Sequence, residues 1–223
     1  VFRRGWRTIK LYFMIGLPGE RMEDVQAIAE LAQAVRREGR KVHGRRTQIN
    51  VSVNSFVPKP HTPFQWVGLE PQSSIRDKQA LLRRELRGRG LKLSYSDPEL
   101  TLLETVLARG DRRLGAVIRR AWRLGARFDA WDEQRDFGAW TQAFAESGLD
   151  PDFYAYRERS VDEIFPWDVV DVGVSKRFLL EEYRRSQRGE LRSDCRERCH
   201  GCGILGAYGE DWAESWRCPG RAP

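Results

Sequence analysis

The chain has 223 residues, 40% of them apolar and eight of them tryptophan, enough for one large or two small domains with a substantial core. No apolar run approaches the roughly 20 residues of a membrane span and no secretory leader pattern opens the sequence, so a cytoplasmic protein with no membrane partner is expected. The net charge of +7 (39 Lys and Arg against 32 Asp and Glu) raises nucleic acid as a partner, but the arginines are scattered through every segment and interleaved with acids, as on solvated helix faces, which argues against it.

Val1 stands inside a pattern rather than before one, as in a piece of a longer protein. Ile9 to Ile15 form a nearly unbroken apolar run rich in β-branched and aromatic residues, stopped by Gly-Leu-Pro-Gly; this predicts a buried parallel strand. Val25, Ile28, Ala29, Ala32 and Val35 then share one helical face, with Glu23 and Asp24 in the first turn, Arg36 and Arg37 in the last, and Gly39 as the stop. Arg36 to Arg46, the densest basic stretch, reads as a helix end running into an exposed loop. A second strand follows, in which Ile49, Val51 and Val53 alternate with Asn50, Ser52 and Asn54. Strand, helix and strand of these lengths make one right-handed βαβ unit. The polar set of the second strand fits either a barrel lumen or an edge strand with one wet face, because an unpaired polar row under a helix layer is costly.

After Trp66 the pattern turns helical. Glu70 to Gly90 reads as an arginine-rich amphipathic helix, and Asp97-Pro98 starts another with Leu100, Leu103 and Leu107 on one face. Leu114, Val117, Ile118, Ala121 and Trp122 mark a third, and Phe137, Trp140 and Phe144 a fourth. Residues 67–158 are therefore expected to be all-helical. Residues 159–223 carry a helix capped by Ser175, with Phe178, Leu179 and Tyr183 buried, and then a cysteine-rich tail.

At "FMIGLPGE" (Phe13–Glu20) and "NSFVPKPHTPFQW" (Asn54–Trp66) the chain resembles the fifth and sixth barrel strands of the radical S-adenosylmethionine superfamily. With "PWDVVDVGVSKRFLLEEY" (Pro166–Tyr183) and the cysteine tail, it is similar to the C-terminal half of uncharacterised members of that family that carry a cobalamin-binding domain. The resemblance implies an α/β then mainly α fold. Residues 1–66 would be the last βαβ unit of a partial, TIM-like (β/α)6 barrel, ahead of a helical domain at 67–158. It implies that Ile15, Gly16, Pro18, Gly19 and Glu20, with Asn54, Phe56 and Val57, pack on S-adenosylmethionine. For Glu20 a plain helix-start acid is an equal reading, and His61 is read as a loop residue. The family's catalytic cysteines and 4Fe–4S cluster would belong to a missing N-terminal barrel portion, with cobalamin further upstream. The parent enzyme would generate a 5′-deoxyadenosyl radical that acts on an unknown substrate; this chain alone should be inactive.

Cys195, Cys199 and Cys202 stand at the spacing C-x3-C-x2-C, with Cys218 to follow. In a reducing compartment clustered cysteines are more often metal ligands than disulfides. The spacing matches the superfamily's catalytic motif but sits at the wrong end of the chain. Three readings stay open: an auxiliary iron–sulfur cluster completed by Cys218 or an outside ligand, a structural zinc site, or thiols that bind nothing. The rival for the whole chain is a small, basic, zinc-stabilised module that binds nucleic acid. Against it, the aromatics fall at buried helical spacing rather than on a stacking platform.

Overall fold

A computed structural model of the chain describes residues 1–129 and 131–208; Cys218, with the rest of the tail beyond Tyr208, lies outside the described residues. The N-terminal half is a sheet of three parallel strands in the order β1 (Thr8–Ile15), β2 (Gln48–Ser55), β3 (Leu91–Tyr95). β1 pairs with β2 from Thr8↔Gln48 to Ile15↔Ser55, and β2 with β3 from Ile49↔Leu91 to Val53↔Tyr95. Helices α1 (Met22–His43) and α2 (Gln72–Glu85) make the two crossovers. Both lie on one face, where Ile15, Ile49, Val51 and Val53 meet Val25, Ala29 and Ala32 of α1 and Ile75 and Leu82 of α2. Fully burying each of these valine, leucine and isoleucine side chains contributes about 1.5–3 kcal/mol.

Among the described residues no helix packs on the other face of the sheet. Lys10, Tyr12 and Met14 of β1 lie level with Asn50, Ser52 and Asn54 of β2, and Lys92 and Ser94 of β3 continue the same rows. Tyr12 is 67% and Met14 47% exposed, so β1 is half-buried rather than buried on both sides. An all-parallel sheet normally has both faces covered.

Two sequence expectations change here. The stretch 67–158 is not all-helical, because Leu91–Tyr95 adds a third strand, extending the single βαβ unit to βαβαβ. Five residues with only Leu91 and Leu93 turned to the core carry too short an alternation to stand out beside two strong helices. Gly39 does not stop α1 either: the helix runs on to His43 and is closed at Gly44. A Cβ on Gly39 would lie 2.4 Å from Thr47 Cγ2 and 2.7 Å from the Phe2 ring, so glycine serves close packing in mid-helix.

The remaining helices are α3 (Pro98–Arg109), α4 (Leu114–Leu124), α5 (Phe137–Glu146), α6 (Pro151–Ala155), α7 (Lys176–Gln187) and α8 (Ile204–Tyr208). Asp97 caps α3 by accepting from the Glu99 and Leu100 amides, and Ser175 caps α7 by accepting from the Phe178 amide. Helices α3 to α6 enclose their own core of Leu102, Leu103, Val106, Val117, Trp140 and Phe144. The buried face of α3 is turned from the expected one, leaving Leu107 42% exposed, and Ile118 and Trp122 of α4 are also outside. A third cluster joins Trp66, Phe165, Trp167 and Leu179, and Gln65 Oε1 accepts from Trp167 Nε1 at 2.8 Å inside it.

Buried arginines tie the helical layer to the segment after α6. Arg109, fully buried, donates to the carbonyls of Ala155 (2.7 Å) and Arg157 (2.9 Å), and Arg159 donates back to the Arg109 carbonyl at 2.6 Å. Glu163 balances the group, pairing with Arg157 at 2.7 Å and Arg159 at 3.0 Å. Burial, and then the neighbouring charges of Arg159 and Arg157, push the Arg109 guanidinium down to about 10, which still leaves it charged at neutral pH.

Candidate functional site at the C-terminal rim of the sheet

In open parallel α/β sheets, ligands sit outside the carboxyl ends of the strands. Here that rim holds two adjoining clefts that share Phe64 as a wall. The larger, about 840 Å³, is lined by the Gly16–Arg21 loop, by Gly68 and Glu70 ahead of α2, and by Tyr156, Glu158 and Tyr183. The smaller, about 550 Å³, is lined by Met14 of β1, by Asn54, Phe56 and Val57 at the end of β2, and by Ser96, Thr101 and Glu104.

The structure thus brings seven of the eight expected cofactor residues to the rim but divides them between two clefts: Gly16, Pro18, Gly19 and Glu20 in one, Asn54, Phe56 and Val57 in the other. Ile15 is the exception. Its side chain is fully buried in the core under the helices, and only its carbonyl reaches the rim, accepting from the Phe56 amide at 2.8 Å.

The two loop glycines serve different ends. Gly16 has φ +86°, and a Cβ there would stand 2.9 Å from Ile75 Cδ1, so packing of α2 accounts for it. Gly19, at φ +80°, has open space where its Cβ would be, and its backbone is free to approach a ligand.

Glu20 is held from within the protein. Its Oε1 accepts from the Gly16 amide at 3.0 Å and lies 2.7 Å from Lys78 Nζ. Lys78, on α2, also pairs with Glu70 at 2.7 Å, and Glu70 accepts from Ser74 Oγ at 2.6 Å. The Lys78 and Glu20 side chains are only 4% and 7% exposed. Burial alone would push the Lys78 ammonium down, but its hydrogen bonds to Glu20 and Glu70 together outweigh it and hold the group above its ordinary value. The two carboxylates and one ammonium therefore form a charged clamp that fixes the loop after β1. At the far wall of the larger cleft, burial, and then the charge of Glu158, raises the Tyr183 phenol; burial, and then Asp152, raises that of Tyr156. Both present neutral hydroxyls that can donate or accept.

These clefts can hold an extended ligand with polar and flat parts. Their described lining residues include neither cysteine nor histidine. His61 takes a left-handed backbone (φ 54°) and is fixed by its amide to Gln65 Oε1 at 3.1 Å.

The tail lies apart, against α7. Arg192 pairs with Glu181 and Glu182, and the Ser175 amide donates to the Cys202 carbonyl at 2.8 Å. Among the described residues no group of three or more His, Cys, Asp or Glu is placed to hold a metal. Cys195, Cys199 and Cys202 are not gathered into such a group, and the fourth expected ligand, Cys218, lies outside the described residues. His200 already faces Ser193 and Arg192, its Nε2 lying 3.0 Å from the Ser193 carbonyl.

The fold and site define an α/β protein with helices on one face of a parallel sheet and paired clefts at its C-terminal rim. Over 114 residues, 51% of this chain, it is 33% identical to an uncharacterised protein of Methanocaldococcus jannaschii, and the match spans only 24% of that protein's length. No protein-family model and no solved structure matches the chain. Among the described residues no helix is long and apolar enough to cross a membrane.

Sequence reasoning missed Lys78, Glu70 and Tyr183 as neighbours of the loop. Lys78 stands beside Gln79 on the α2 face that Ile75 and Leu82 bury, so a lysine in register with an apolar stripe was the available signal.

Proposed function

We propose that this chain is the C-terminal part of a cytoplasmic radical S-adenosylmethionine enzyme, contributing strands β1 to β3 as the last wall of an incomplete barrel. The carrying observation is the bare polar face of an all-parallel sheet: Asn50, Ser52 and Asn54 beside Lys10, Tyr12 and Met14 suit a lumen better than an outer surface. A parent protein longer than this chain is consistent with the archaeal relative, of which the match covers 24%. When bound, S-adenosylmethionine beside a reduced 4Fe–4S cluster supplies the 5′-deoxyadenosyl radical. The chain's own residues bind and orient. Gly19 offers open backbone, Asn54 an amide at the lumen edge, and the Glu20–Lys78–Glu70 clamp keeps the loop in place. Thr101 and Glu104 of α3 and Tyr183 of α7 line one side of the clefts.

The test is 5′-deoxyadenosine formation. A longer protein that includes the segments preceding this chain, reconstituted with iron and sulfide and reduced by dithionite, should release it from S-adenosylmethionine. Gly19→Val should suppress that release, and the present chain alone should release none. A longer protein that holds no iron–sulfur cluster and releases no 5′-deoxyadenosine overturns the reading. The tail is tested separately by anaerobic purification of this chain. Metal should be present in the wild type and fall to background when Cys195, Cys199 and Cys202 are all changed to serine; equal metal in both would remove the cysteines as ligands.

A further inference from the structure

The opposite end of the sheet is strongly basic, and its charge is assembled by the fold from stretches far apart in sequence. A turn at Phe2–Arg4 packs on the end of α1, with His43 Nε2 2.9 Å from the Phe2 carbonyl. The Arg7 carbonyl accepts from Gln48 N at 2.9 Å, and that of Gly90 from Ile49 N at 2.8 Å. Arg40 reaches across to the Arg89 carbonyl at 2.8 Å. Arg7, Arg46 and Arg89 thus stand just before the starts of three adjacent strands, all exposed, across roughly 10 Å at the usual strand spacing.

Few acids offset this rim. Glu38 is taken by Lys41 at 2.6 Å and Glu85 by Arg84 at 2.8 Å, while Arg3, Arg7, Arg46 and Arg89 make no ion pair among the described residues. The Arg36 guanidinium is lowered first by burial and then by the like charges of Arg40 and Arg37. Helix-dipole complementarity explains arginines at the ends of α1 and α2, but Arg3, Arg7, Arg46 and Arg89 belong to no α-helix. Between Arg4 and Arg7, Trp6 is 66% exposed. An open indole within a row of guanidinium groups is the combination that grips phosphates and stacks on a base.

We propose that this rim docks single-stranded nucleic acid, with Arg7, Arg46 and Arg89 on successive phosphates and Trp6 stacked on a base. A membrane surface fits less well, because among the described residues no apolar helix face accompanies Trp6 at this end. The proposal is independent of the reading of the clefts, which lie at the other ends of the strands.

The experiment is fluorescence anisotropy of a labelled 15-nucleotide oligo-uridine with the full chain, from 50 to 200 mM salt. With three phosphates engaged, the log–log salt slope should be about −2, a loss of roughly twentyfold over that range. The triple variant Arg7→Ala, Arg46→Ala, Arg89→Ala should flatten the slope to near zero and weaken binding more than tenfold at 50 mM salt. The corresponding triple lysine variant should bind nearly as the wild type does. Trp6→Ala should weaken binding by roughly fivefold to a hundredfold with the slope unchanged. Arg119→Ala, on α4, should change nothing, and thermal midpoints confirm that each variant folds. Absence of binding at 50 mM salt, binding indifferent to the triple alanine change, or rim-dependent binding to phosphatidylglycerol vesicles without oligonucleotide binding would overturn the proposal.

Discussion

Lys78 is the residue whose removal should cost the sheet domain most. Its ammonium is 4% exposed and lies 2.7 Å from carboxylates on both Glu20 and Glu70. Lys78→Met keeps the packing volume but strands two acids, one of them 7% exposed, against each other. Breaking a buried pair by removing one partner costs about 3–5 kcal/mol. For a chain of this size that corresponds to a fall in thermal midpoint of about 6–20 °C. Glu20→Gln is gentler: its amide oxygen can still accept from Gly16, and Lys78 keeps Glu70, so about 1–2 kcal/mol is expected. The triple variant Glu20→Gln, Glu70→Gln, Lys78→Met should recover much of the loss, because no unpaired charge remains. The assay is urea unfolding followed by circular dichroism, with the single and triple variants compared at pH 7. The sign with pH is fixed by the raised Lys78 value: the clamp's stabilisation is complete below the ordinary 10.5 and is lost as pH rises through the higher folded value. A Lys78→Met protein as stable as the wild type, with an unchanged alkaline limb, would refute the account of a charged, desolvated clamp.

Two further outcomes follow from contacts in the same structure. Gly39→Ala should destabilise by about 1–3 kcal/mol through overpacking, since its Cβ would meet Thr47 Cγ2 at 2.4 Å, whereas Gly115→Ala, with open space around it, should be neutral or stabilising; chemical denaturation of both variants checks this. Glu163 is held below its ordinary 4.5 by Arg157 and then Arg159, so its contribution is present above that value and lost as pH falls through the lower folded one. Glu163→Gln should therefore lower stability at pH 7 by about 2 kcal/mol and shrink the acid-induced loss below pH 4.5, measured as unfolding midpoint against pH.

The sheet domain was legible where periodicity was long. The alternation of Ile49, Val51 and Val53 with Asn50, Ser52 and Asn54 fixed both the strand and its polar face, and the caps at Asp97 and Ser175 lie where side-chain chemistry puts them. β3 was lost because a five-residue edge strand takes its stability from β2 rather than from its own pattern. At Gly39, local propensity pointed to a stop, but the glycine is required by the ring of Phe2, remote in sequence, and by Thr47 beyond the helix end. The rim residues Gly16 to Glu20 and Asn54 to Val57 were found from the motif. Their division between two clefts was not, since it depends on Phe64 standing between the loops. The clamp was half legible: Glu20 is in the motif, while its partner Lys78 reads locally as one more base on a basic helix.

The exchange between Arg109 and the segment after α6 uses main-chain oxygens at both ends, those of Ala155, Arg157 and Arg109 itself. A carbonyl is the same whatever side chain it carries. The identity of residue 155 or 157 can therefore drift without loosening the grip of Arg109 on their carbonyls, provided the side chain fits. Chain length between them cannot. One residue inserted between Ala155 and Arg157 would carry the Arg157 carbonyl and the Arg159 guanidinium out of register and leave Arg109 with only the Ala155 carbonyl. The joint between α3 and the segment after α6 thus tolerates exchange of letters but not a change in their count.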